Sequence, residues 1–201
     1  MEIKNAKFIS SMADYGEFSG VGLPQIAVVG KSNVGKSSLI NALCKQNKLC
    51  RTSSTPGKTR LINIFEVTLY DEQTEQKFHL IDLPGYGYAK VNYAEKIKWG
   101  EMMEHYFSTS PYLRSILHLV DIRHEPTQDD IAMSDFMRNS AIPFSVVATK
   151  ADKISRGARM KHIAPICRGL KVQPWEILPF SSETKDGRME LIQLLHKNIT
   201  E

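Results

Sequence analysis

The chain has 201 residues, 42% of them hydrophobic, with 26 Lys and Arg against 22 Asp and Glu and a formal net charge of +4. That size and apolar content suit one folded domain with a buried core, and the mildly basic balance permits a phosphate-rich partner without requiring one. Cys44, Cys50 and Cys167 are odd in number and lack CxxC spacing, which argues against a disulfide framework or a cysteine zinc site and suits the reducing cytoplasm; no apolar run approaches a membrane span, so neither export nor membrane insertion is expected.

Short apolar runs alternate with stretches of helical spacing, the pattern of an α/β protein with a mostly parallel sheet. Residues 1–22 read as an N-terminal extension before a core over 23–201. In chain order the pattern predicts a strand from Gln25 to Val29 and a helix from about Lys36 to Cys44. Strands follow near Ile62 to Leu69 and Phe78 to Asp82, and the short polar run Asp71 to Lys77 between them predicts an antiparallel hairpin. Next come a helix from Tyr93 to Phe107, a strand from Ile116 to Asp121 and a helix from Thr127 to Arg138. The remainder reads as a strand from Phe144 to Thr149, a helix from Gly157 to Leu170, a strand from Trp175 to Leu178 and a helix from Asp186 to Asn198. That last helix is amphipathic, with Leu191, Leu194, Leu195 and Ile199 on one face.

The sharpest chemical signal is Gly30-Lys31-Ser32-Asn33-Val34-Gly35-Lys36-Ser37, a GxxxxGK[ST] run between a strand and a helical segment. Gly30 and Gly35 let the backbone wrap a phosphate chain, so that successive N–H groups and the helix start point at the anion. Lys36 is placed to reach the β and γ phosphates and Ser37 to offer its hydroxyl to Mg2+, with Ser38 in the same contact set. A second signal, Thr149-Lys150-Ala151-Asp152, follows a strand at the carboxyl edge of the sheet, where α/β folds bind ligands. Asp152 can accept hydrogen bonds from the ring N–H and amine of guanine while the Lys150 stem lies along the base. Adenine lacks that pair of donors, and a buried acceptor rejects the wrong partner by about 10⁴ to 10⁵, so GTP or GDP is expected over ATP. Thr149 stands where Asn is commonest, and its shorter side chain weakens the case for a tether to the phosphate loop.

Asp82-Leu83-Pro84-Gly85 ends a strand as DxxG: the Asp can hold a metal-bound water and the Gly85 N–H can meet the γ-phosphate. Ras-like proteins place Gln next, but here the residue is Tyr86, so slow intrinsic hydrolysis dependent on a partner or another cation is expected. Phe180-Ser181-Ser182 looks like the fifth GTPase motif, in which a backbone N–H meets guanine O6.

The loop Thr52 to Arg60 resembles the first switch of the TrmE-Era-EngA-EngB group, whose pattern is PGxTR; that match covers Gly57, Lys58, Thr59, Arg60 and the adjoining Leu61. The resemblance makes Thr59 the second protein ligand to Mg2+ and a catalytic residue beside Lys36 and Gly85; spacing alone leaves Thr55 and Thr52 open. Together GKSNVGKSSLIN, RTSSTPGKTRLINIFEV, DLPGYGYAK, DIRH and TKADK are similar to the EngB (YsxC/YihA) bacterial GTPases, from about Gln25 to the C-terminus. The resemblance implies a Ras-like P-loop GTPase fold with six strands flanked by helices. It also implies a monomeric cytoplasmic switch in large ribosomal subunit assembly, needed for normal cell division and septation. Asn33 stands where some relatives use Asn to coordinate K+, which would supply transition-state charge.

Residues 31 to 65 carry seven basic side chains and no acid, and residues 153 to 171 carry six and no acid. Ribosomal RNA would bind such faces through counterion release, although solvated helix faces look the same. Tyr86, Tyr88 and Trp99 are candidates for base stacking, against the commoner role of core packing. The six scattered histidines form no metal motif. The alternatives are a nucleotide-binding interaction module with little or no hydrolysis, and an ATP-using P-loop enzyme disfavoured by TKAD.

Overall fold

A computed structural model describes residues 1–13, 22–50, 61–71, 74–87 and 93–200, with the side chains of 93–96 left aside. The strands are β1 (Glu2–Met12), β2 (Gln25–Gly30), β3 (Ile62–Tyr70), β4 (Glu75–Asp82), β5 (Leu113–Asp121), β6 (Phe144–Thr149) and β7 (Ile177–Pro179). The α-helices are α1 (Lys36–Leu43), α2 (Tyr93–Thr109), α3 (Gln128–Asn139), α4 (Arg159–Leu170) and α5 (Arg188–Thr200). They build one sheet in the order β1-β3-β4-β2-β5-β6-β7. β4, β2, β5, β6 and β7 run parallel, and the β3–β4 hairpin and the β1–β3 pair are antiparallel.

Burial of β2 on both faces sets the layering. Ile26 and Val28 point to a core with Leu39, Ile40 and Leu43 of α1 and Leu191, Ile192 and Leu195 of α5. Ala27 and Val29 point to the opposite core, with Met103 and Tyr106 of α2 and Met133 and Met137 of α3. A third cluster seats α4 through Ile163, Ile166 and Leu170 against Val146 and Ala148 of β6. At the foot of α1 the buried Arg188 guanidinium donates to the carbonyls of Ala42 and Leu43 at 2.7–3.1 Å, satisfying orphan groups of the helix end.

Two expectations require correction. The sheet has seven strands, not six, because residues 2–12 of the segment read as an extension pair with β3. Register shifts between Ile3 and Asn5 and between Phe8 and Ser10 break the two-residue alternation that would have marked the strand. The seventh strand begins at Ile177 rather than Trp175, since Pro174–Glu176 form a 3₁₀ turn started by Pro174 and closed by Gln173 N–H donating to Glu176 Oε2 at 2.6 Å.

Candidate functional site

The parallel strands bring Gly30, Asp82, Asp121, Thr149 and Pro179 to one edge of the sheet, and the predicted motifs leave from those ends. In the phosphate loop Asn33 and Gly35 take left-handed backbone conformations, φ 62° and 113°; Gly35 is the residue that adopts the latter freely. α1 then begins with no side-chain cap and no acid in its first turn, so the amides of its opening residues are left for an anion.

At the base-reading end, Thr149 makes the tether that its length had argued against. Its hydroxyl lies 2.7 Å from the carbonyl O of Val34 and 3.0 Å from that of Val120, because β6 carries it close under the loop. Lys150, at φ 59°, reaches back over the loop, its Nζ donating to Asn33 O at 2.9 Å and pairing with Asp121 Oδ2 at 2.9 Å. Asp121 is also held by Arg123 at 2.7 Å, and although burial opposes it, Arg123 and Lys150 keep this carboxyl well below the usual range. Ala151 N–H donates to Phe180 O at 3.0 Å, joining the fourth motif to the fifth. Ser181 donates its hydroxyl to Asp152 Oδ1 at 2.8 Å and accepts from the amides of Glu183 and Thr184. Burial works against the Asp152 charge, but the bonds from Ser181 and Lys153 outweigh it and lower the pKa, so this residue stays an ionised acceptor. Ser182 continues the Ser181 turn, half-buried.

At the phosphate end, Asp82 is buried at the end of β4. Asn63 donates to its Oδ2 at 3.4 Å and the Cys50 thiol lies 3.6 Å from the same atom. Asp82 Oδ1 is buried without a partner among the described residues. Burial pushes this carboxyl above its usual range, against the pull of Lys36 and the hydrogen bonds from Asn63 and Cys50. A carboxylate oxygen left open among the described residues, on an aspartate that also feels the Lys36 charge, fits a magnesium ion reached through water, a hard cation that takes oxygen ligands. Leu83 N–H donates to Val28 O at 3.1 Å, and the backbone then turns along the phosphate loop. Gly85 is pressed so close that a Cβ would lie 2.9 Å from Lys36 Nζ and 3.0 Å from Ser32 Oγ. Gly57, Lys58, Thr59 and Arg60, with the alternatives Thr52 and Thr55, lie outside the described residues; Leu61 is 41% exposed just before β3.

Residue 86 differs most from expectation. Tyr86 is turned into the core, its hydroxyl 2.8 Å from Asp130 Oδ1 and 2.8 Å from His118 Nε2. Tyr86 is thus buried away from any base, and Trp99 is half-buried against the same core with its indole N–H donating to Pro84 O at 3.1 Å; Tyr88 lies outside the described residues. Sequence reasoning also missed Asp121, for which the only signal was an Asp ending a strand in DIRH. Arg159, one of the six basic residues between 153 and 171, pairs with Asp186, whose backbone carbonyl accepts from Ser181 N–H.

Known proteins fit this geometry. A family model described as a 50S ribosome-binding GTPase matches residues 25–150. A probable GTP-binding protein EngB of Heliobacterium modesticaldum is 46% identical over 197 residues, covering 97% of this chain and 92% of its own. The crystal structure of a probable GTP-binding protein EngB superposes with a TM-score of 0.65 at 24% identity, over 88% of this chain and 98% of that one. Era in complex with MgGDPNP and nucleotides 1506–1542 of 16S ribosomal RNA gives a TM-score of 0.69 at 25% identity, over 89% of this chain and 57% of that one. The P-loop at the sheet edge, the base-reading pair beside it and the near full-length identity thus lead to one conclusion: the chain belongs to the EngB family of GTP-binding proteins and is a P-loop GTPase.

Proposed function

We propose that this GTPase works slowly and with Mg2+ as a nucleotide-controlled switch on the large ribosomal subunit during its assembly, and that normal division and septation depend on it. It acts as a cytoplasmic monomer; among the described residues no helix is long and apolar enough to cross a membrane. The observation that carries the nucleotide reading is the convergence at one sheet edge of an uncapped P-loop helix with Lys150 and the ionised Asp152. In this reading Asp152 accepts from the guanine ring N–H and amine, the Lys150 stem lies along the base, and the Ser182 N–H meets its O6. Lys36 and the amides from Asn33 to Ser38 hold the phosphates. Ser37 and Thr59 ligate the metal, Asp82 orients one of its waters, and the Gly85 N–H meets the γ-phosphate. Magnesium, when bound, neutralises charge developing on the β and γ phosphates. Asp152→Asn tests the base: GTP affinity should fall roughly a hundredfold while xanthosine nucleotides bind better, and unchanged GTP affinity would reject the assignment.

The ribosomal part rests on the family's description and on the basic segments, since Era was solved with ribosomal RNA. Co-sedimentation with large-subunit particles should be tighter with a GTP analogue than with GDP and should weaken steeply between about 50 and about 200 mM salt. Equal, salt-insensitive binding in both states would remove this reading and leave the GTPase.

Potassium belongs to the same proposal. With Tyr86 buried, its side chain does not position the attacking water, and Asn33 stands exposed at the loop rim. Hydrolysis should run faster in potassium than in sodium, and Asn33→Ala should abolish the difference; equal rates in the two salts would refute it.

A further inference from the structure

Three polar side chains that the nucleotide reading leaves unused meet in the core between β5, α3 and the DLPGY segment. We infer that the Tyr86 hydroxyl, bound by Asp130 and His118, is a latch that holds Gly85 in position for the γ-phosphate and so sets how tightly GTP binds relative to GDP. The inference rests on the nucleotide reading above.

The latch is complete on both sides. Asp130 Oδ1 accepts the Tyr86 hydroxyl, while its Oδ2 accepts the Thr127 backbone N–H at 2.8 Å and hydroxyl at 2.7 Å in the capping box that starts α3. With the tyrosine proton given to Asp130, the second contact is His118 Nε2–H donating to the Tyr86 oxygen. Burial keeps the Tyr86 hydroxyl protonated, aided by Asp130, and the imidazole neutral. The main chain of the same residue faces the other way. Tyr86 O accepts from Ser32 N–H at 3.0 Å and Ser32 Oγ at 3.1 Å, and Trp99 fixes the carbonyl of Pro84. Pro84, Gly85 and Tyr86 are therefore clamped by the P-loop, α2 and α3 together.

GDP has no γ-phosphate, so its affinity does not depend on where Gly85 lies. GTP needs that amide, and a clamped segment spares it the ordering cost. Tyr86 thus acts through Gly85 as a positioning residue, at the place where Ras-like proteins carry a glutamine that touches water.

Tyr86→Phe removes only the hydroxyl and takes its partner from Asp130 Oδ1 and His118 Nε2, while Asp130 Oδ2 keeps its bonds to Thr127. Fluorescent GTP-analogue and GDP titrations of the full chain should show GTP-analogue affinity falling about tenfold with GDP affinity within about twofold. Asp130→Ala, which removes the acceptor that an Asn would still supply through its amide oxygen, should shift the ratio in the same direction, and the double variant should be no worse than the more affected single one, because both break one contact. If Tyr86→Phe does not fold, Asp130→Ala alone decides the matter. A ratio unchanged in the folded variants, or equal losses for both nucleotides, would overturn the latch while leaving the GTPase intact; failure of the wild-type chain to bind either nucleotide would instead indict the site.

Discussion

The two ends of the site are held in opposite ways. At the base end nearly every polar group already has a protein partner: Thr149 with Val34, Lys150 with Asn33 and Asp121, Asp152 with Ser181. At the phosphate end Asp82 Oδ1 is buried with none among the described residues, and α1 starts without a side-chain cap. A buried unpaired carboxylate oxygen costs stability until something meets it. The end proposed to read the base is therefore held by the protein's own bonds, whereas the end proposed for the phosphates leaves polar groups for a ligand to meet.

That contrast can be broken most forcefully at Lys36. Lys36→Ala should lower kcat/KM for GTP by about a hundredfold or more, since it removes the charge that meets the phosphates, while the base end stays formed. Activity within twofold of wild type in a phosphate-release assay would show that the phosphate end does not depend on its lysine.

The buried imidazole beneath the phosphate end offers a second lever. Burial lowers His118 from 6.5 to about 4, against the pull of Asp130, with Tyr86 as its other polar neighbour. The unfolded chain takes up a proton that the folded chain refuses, so the His118 contribution is full above about pH 6.5 and is lost as pH falls toward 4. Stability should drop by on the order of 2 kcal/mol between about pH 7 and about pH 4.5. His79, also lowered by burial and facing Glu66, adds to the same window. Denaturant melts of His118→Gln should lose the His118 share; an unchanged pH slope would place the proton uptake elsewhere.

The smallest effect is expected where the site is already complete. Thr149→Val keeps the shape and removes the hydroxyl, at a cost of roughly 1–2 kcal/mol in stability. GTP and GDP affinities should fall together, by less than about tenfold, because the base end does not read the third phosphate. A selective loss of GTP in the titration would mean that the two ends are not separable.

The motifs that bind were legible because phosphate and guanine recognition demand particular residue types at fixed distances from a strand end, as at Lys36 and Asp152. What supports them was less so. The Thr149 tether depends on how closely β6 passes under the loop, a distance no spacing encodes. Tyr86 read as a missing glutamine because its partners His118 and Asp130 are 32 and 44 residues away along the chain. β1 escaped because its bulges disrupt the alternation, and Trp175, at 81% exposure, looked like a strand aromatic only until Pro174 opened a turn before it.

The added strand has a reach beyond the sheet edge. Ser11 of β1 donates to Asn63 Oδ1 at 2.5 Å, and the amide of the same Asn63 donates to Asp82 Oδ2. The Asp82 carboxylate only accepts, so Asn63 turns its NH2 toward it and its oxygen away, where the Ser11 hydroxyl meets that oxygen and holds the amide in place. Peeling β1 away would uncover the hydrogen-bonding row of β3 and at the same stroke leave the Asn63 oxygen without its Ser11 donor, loosening the amide that meets Asp82. The eleven residues of β1 thus act as a mechanical seal on one flank and as an orienting hand on the other, so the start of the chain is felt at Asp82.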